Sequence, residues 1–253
     1  MLWSRLIPVL LIHKGGLWKT EQFRPHTYLG DPTNAVRIFN EKEVDELIVL
    51  DIDADKEGRG PDYTIIERLA SECFMPLCYG GGVTNLGQSQ ELFRRGVEKI
   101  AVNSALSSRP ELITEIAEFA GSQAIVVSLD LVRINDQLLL FQHSTGTTSQ
   151  TDWLALIRDY CQRGAGEVMI NAVHRDGTLA GPDLSLIHLA SQVSSIPLIA
   201  TGGARNLSDA AAMIDAGASA VAAGAMFVYR GRHRAVLITY PDMEKIRAEH
   251  LMD

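Results

Sequence analysis

The chain has 253 residues, 46% of them hydrophobic, and a formal net charge of −8. That is chain and apolar mass enough for one large α/β barrel, which commonly runs to about 250 residues. The acidic balance argues against nucleic acid as a partner, so phosphates on a small ligand would be held by backbone N–H groups and helix N-termini rather than by a broad positive field.

The first apolar run, Leu6 to Ile12, is too short for a signal-peptide core and lacks a small-residue cleavage site, so it reads as a strand over 5–11. The stretch from His13 to Asp31 is rich in Gly, Lys, Thr and His and reads as a long loop, a candidate lid, with His13 a solvated loop residue. Seven further strands fall at 46–51, 75–79, 99–103, 124–130, 167–171, 196–201 and 220–224. Helical patterns lie between them at 63–73, 88–95, 110–119, 153–163, 184–193 and 207–216. An Asn-Asp turn between β-prone runs over 132–142 predicts a small hairpin after the fifth strand. No stretch reaches the roughly 18 apolar residues of a membrane helix. Cys73, Cys78 and Cys161 lack metal-ligand spacing and read as reduced thiols of a cytoplasmic protein, so neither a metal nor a cofactor is expected.

The chain also repeats itself. Segment 75–86 (MPLCYGGGVTNL) returns as 196–207 (IPLIATGGARNL), and the same offset of 121 carries Gly96 onto Gly217 and Ala101 onto Ala222. Near-continuous apolar strands separated by helices imply a parallel sheet buried on both faces. Eight such units in two related halves, about 1–121 and 122–253, imply a single (β/α)8 TIM barrel. The alternative, an open doubly wound sheet, would not need a half-and-half repeat.

The order and spacing of several short motifs resemble the cyclase subunit of imidazole glycerol phosphate synthase, the HisF family. They are Ile7-Pro8, Gly30-Asp31-Pro32, the run 46–51, Gly80-Gly81-Gly82, 102–104, 121–124, 163–166, 175–178 and Gly202-Gly203. The resemblance implies a barrel that takes ammonia from a glutaminase subunit. It implies two phosphate cradles, one at Gly81, Gly82, Asn103 and Ser104, the other at Gly202, Gly203, Gly224 and Ala225, with Asp176, Gly177 and Thr178 as further phosphate- or substrate-binding residues. Glycine lets backbone approach a phosphate closely, which agrees with that reading. It also implies a charged ring, Arg5, Glu46, Lys99 and Glu167, gating ammonia at the barrel floor, with Glu98 near the glutaminase contact.

The family carries a pair of catalytic aspartates, and here only one is present. Asp130 ends the fifth strand, but Leu11 occupies its partner's position, and a leucine cannot transfer a proton. His13, two residues on, is a weaker substitute. Asn171 stands where the family has Thr, and His174 where it has Asp, so three changes at one rim suggest altered substrate chemistry. The expectation is therefore a paralogue serving acetamidino-sugar formation in surface-polysaccharide biosynthesis, with a glutaminase and a sugar amidotransferase as partners and a phosphorylated small-molecule ligand. The alternatives are a working cyclase of histidine biosynthesis and a non-catalytic activator of the glutaminase.

Overall fold

The computed structural model describes residues 4–24, 26–231 and 233–241. Eight parallel strands close on themselves: β1 (Arg5–His13), β2 (Leu47–Asp51), β3 (Leu77–Gly80), β4 (Lys99–Val102), β5 (Ile125–Ile134), β6 (Glu167–Ala172), β7 (Leu198–Thr201) and β8 (Ala220–Ala223). Each pairs with the next, and β8 returns to β1 with Arg5 opposite Ala220 and Pro8 opposite Ala223. Among the described residues eight helices alternate with them: α1 (Pro32–Glu41), α2 (Tyr63–Ala70), α3 (Leu86–Arg94), α4 (Leu112–Ala120), α5 (Trp153–Gln162), α6 (Leu184–Ser191), α7 (Leu207–Asp215) and α8 (Ala225–Val228). This is the (β/α)8 barrel the sequence implies.

Strand alternation sorts the core into two compartments. In β2, Leu47 and Val49 face the helices, whereas Ile48 and Leu50 face the barrel axis. The axial compartment is a separate apolar column of Ile7, Ile48, Cys78, Ala101, Val126, Met169, Ile199, Ala220 and Ala222, with Val9 and Leu50 packed against it. Six helices start on an Asp or Asn whose side chain accepts a backbone N–H: Asp31, Asp62, Asn85, Asp152, Asp183 and Asn206. Such caps contribute about 1 kcal/mol each. They fix where each strand–helix loop ends, and so where the rim residues stand.

Three segments differ from the sequence reading. Helices α1 and α8 are additions; the signal for α1 is Asp31 as cap and Pro32 in the first turn. The stretch from His13 to Asp31 is not an open loop. β1 runs on to His13 and pairs antiparallel with Gly16–Thr20, which pairs in turn with His26–Gly30, a hairpin standing over the strand ends. The predicted second hairpin is present: β5 pairs with Gln137–Gln142 around Asn135 and Asp136, whose φ of 47° and 63° suit a two-residue turn of the mirror-image type.

Candidate active site

At the strand starts, Arg5, Glu46, Lys99 and Glu167 form one continuous ring. Arg5 bonds Glu46 Oε2 at 2.5 Å and also bonds Glu167, while Lys99 Nζ reaches Glu46 Oε2 at 2.8 Å and Glu167 Oε2 at 3.0 Å. Glu46 and Glu167 are buried, so each needs cationic partners to offset lost hydration. Burial alone would lower the pKa of Arg5, but the two carboxylates outweigh it and hold the guanidinium charged. Glu46 Oε1 is buried and meets no hydrogen-bond partner among the described residues. Next along the axis is Cys78, fully buried, its thiol pushed well above the ordinary range by burial and then by Glu46. Glu98 is exposed beside Lys99 on the same face.

At the strand ends the column opens into a cavity lined by Leu11, Lys19, Asp51, Asp55, Gly81, Gly82, Asn103, Ser104, Asp130, Asn171, Asp176 and Gly224, among others. A second, adjoining pocket holds Asp176, Gly177, Gly202, Gly203, Gly224 and Ala225. The residues predicted for catalysis and for phosphate or substrate binding therefore gather at one mouth, except Thr178. Its hydroxyl donates to Arg175 O at 2.8 Å and accepts from Ala180 N, so it closes a turn.

Asp130 is buried and clamped by two amides, Asn103 Nδ2 to Oδ2 at 2.8 Å and Asn171 Nδ2 to Oδ1 at 3.2 Å. Burial pushes its pKa up to about 6 although both amides favour the ionised form. Asn171 Oδ1 is left buried and without a hydrogen-bond partner among the described residues. Across from Asp130, Leu11 is buried and offers the cavity only hydrocarbon.

Two sequence expectations are corrected here. His13 is not solvated: it is mostly buried, with Nδ1 2.6 Å from Asp53 Oδ1 and its ring edge-on to Trp18. It lies outside the residues lining the cavity. His174 does not join the mouth either. It meets Asp183 at 3.0 Å through Nε2 and accepts Arg133 N–H at Nδ1, in a network where Arg133 forks onto Asp183. Burial would raise the pKa of Asp183, but His174, Ser185, Arg133 and the Leu186 N–H together hold it far below the usual carboxylate range. Of the three rim positions singled out from the resemblance, Leu11 and Asn171 face the cavity and His174 supports the rim.

The sequence reading missed Lys19. Its ammonium is buried, bonds Asp176 Oδ1 at 3.1 Å, and reaches to within contact of Gly224. Thr20 and Gln22 also bind Asp176, Gln22 reaches His174 O, and Glu21 pairs with Arg234. At the hairpin tip Phe23 meets Phe141 of the second hairpin and His143 of the turn just after it edge-on. The first hairpin is thus fastened over the mouth.

The glycine pairs explain themselves sterically. Gly81, Gly82, Gly202 and Gly203 all have φ between 71° and 125°. A Cβ on Gly82 would stand 2.6 Å from Arg59 O, and one on Gly203 2.4 Å from Gly181 O. The space a side chain would need is taken by the preceding strand–helix loop.

A closed barrel with two related halves, an ionic ring at one end of an apolar axis and a polar cavity at the other has the layout of a (β/α)8 enzyme subunit, whose sites lie beyond the strand C-termini. The chain belongs to the histidine biosynthesis protein family, which matches residues 5–234. It is 44% identical to a Leptospira interrogans protein provisionally named imidazole glycerol phosphate synthase subunit HisF, covering 96% of this chain and 97% of that one. It is 41% identical to a Pseudomonas aeruginosa protein provisionally named subunit hisF2, over 97% and 99% of the two chains. It is 38% identical to imidazole glycerol phosphate synthase subunit HisF of Hyphomonas neptunium, over 90% of each.

Proposed function

We propose that this chain is the ammonia-accepting subunit of a glutamine-dependent amidotransferase complex, fed by a glutaminase docked on the face around Glu98. In this reading it serves sugar amidation in surface-polysaccharide formation, with a sugar amidotransferase as third partner, rather than histidine-pathway cyclisation. The observation that carries it is the ring of Arg5, Glu46, Lys99 and Glu167 closing one end of an apolar column whose other end opens at Asp130. Ammonia is small and neutral, so a column lined by Cys78, Ala101 and Val126 suits it and excludes ions. The ligand at the mouth is a phosphorylated small molecule held at the glycine turns.

Asp130, with a pKa near 6, can take or give a proton at the mouth close to neutral pH. Leu11 leaves it without a second proton-transfer group opposite, which is what separates this reading from a working cyclase. Such a group contributes about 10²–10⁴-fold. Cyclase turnover of the histidine-pathway substrate in excess ammonium should therefore be very low, and a rate equal to that of a two-aspartate relative refutes the paralogue reading. With the glutaminase present, Lys99→Ala should depress glutamine-driven amidation much more than ammonium-driven amidation. Equal losses in both would mean that Lys99 only supports the fold.

A further inference from the structure

The two glycine turns are alike in backbone and unlike in charge. The repeat offset that carries Gly82 onto Gly203 also carries Ala54 onto Arg175 and Asp55 onto Asp176. Each pair keeps its place: a Cβ on Gly82 would meet Ala54 Cβ at 2.9 Å, and one on Gly203 would meet Arg175 Cβ at 3.0 Å. At the second turn Asp176 is neutralised by Lys19, and Arg175 precedes it in the loop with its Nε buried and without a hydrogen-bond partner among the described residues. At the first turn Asp55 lines the cavity with no ion pair among the described residues, and its Oδ2 is buried without a hydrogen bond. The guanidiniums nearest that turn are engaged, Arg59 by Asp51 and Glu57, Arg109 by Glu115. Asn103 gives an amide hydrogen to Asp130. The first turn thus offers carboxylate and hydroxyl acceptors and a negative charge with no ion pair among the described residues, whereas at the second turn the ammonium of Lys19 balances the carboxylate.

We propose that the mouth takes an asymmetric ligand. Its single phosphate lies at the second turn against Lys19. Its other end, neutral and bearing hydroxyl or amino donors, lies at the first turn against Asp55, which is the residue that rejects a second phosphate. Two like charges a few ångströms apart in a partly desolvated cavity repel by enough to change affinity about tenfold or more. This rests on the phosphorylated-ligand reading above.

The test is a titration of the protein with inorganic phosphate, read by calorimetry for stoichiometry and by crystals soaked in phosphate for position. The wild type should bind one phosphate, at Gly203 and Gly224, and Lys19→Met should lose it. Asp55→Ser and the isosteric Asp55→Asn should each gain a second site at Gly82 and Ser104, at least about tenfold tighter than any binding there in the wild type. Thermal melting of both variants identifies any that fails to fold. Phosphate at both turns of the wild type, or no gain in a folded Asp55 variant, overturns the asymmetry and leaves the phosphorylated ligand standing. Phosphate at neither turn overturns both.

Discussion

Replacing Asp130 by asparagine should stabilise the protein, and only at neutral or higher pH. Asp130 is raised from the ordinary 3.8 to about 6, so the folded state binds its proton more tightly than the unfolded chain does. For an acid shifted upward, stability falls as pH rises between the two values and stays lower above the folded one. Two units correspond to about 3 kcal/mol at 1.36 kcal/mol per unit. The side-chain amide introduced by Asp130→Asn would keep one of the two amide bonds, from Asn103 or Asn171, and lose the other, returning about 1 kcal/mol. The net expectation is a gain of about 2 kcal/mol at pH 8, falling as pH falls and becoming a loss of about 1 kcal/mol near pH 4, where Asp130 is already neutral and only the lost amide bond remains. Urea denaturation of both proteins across that range measures it. A difference that stays constant with pH, or a loss at pH 8, would show that burial does not govern this carboxyl.

Three other expectations follow from the rim. Leu11→Asp should bring a carboxylate to the position opposite Asp130, cost about 1–3 kcal/mol in melting experiments because its charge replaces buried hydrocarbon, and raise cyclase turnover in excess ammonium. Asp183→Asn should cost about 2 kcal/mol at pH 7, since it weakens a helix cap and the fork from Arg133. Because the Asp183 pKa is held low when folded, its stabilisation is present above the unfolded value near 3.8 and fades as pH falls below it, so the variant and the parent should converge in acid. Glu21→Ala should loosen the first hairpin through Arg234, seen as faster amide exchange over 16–20 with little change in the barrel strands.

The barrel is legible in the sequence because its strands are buried on both faces and its helices carry Asx caps, both of which are local signals. The ring residues are legible as charges at strand starts, and Asp130 as the last inward residue of an apolar run. What escapes is non-local. Lys19 sits in a hairpin that reads as a polar loop, and its partner Asp176 is far away in sequence. His13 and His174 look like rim chemistry in one dimension, but Asp53 and Asp183, brought close only by the barrel, hold them in supporting contacts. The glycine pairs read as openings for a ligand, whereas Arg59 O and Gly181 O fill the space. Only the closed barrel shows that a backbone neighbour stands there.

Cys78 gives the axis a resident reporter. It lies between the ionic ring and the cavity, and its thiol is kept protonated, so charged alkylating reagents have neither a route to it nor a thiolate to attack. Any labelling of this sulfur in the folded protein would therefore record the moments when the ring or the apolar column parts. The rate of that labelling, with and without a glutaminase, becomes a clock for traffic along the barrel that requires no knowledge of the substrate.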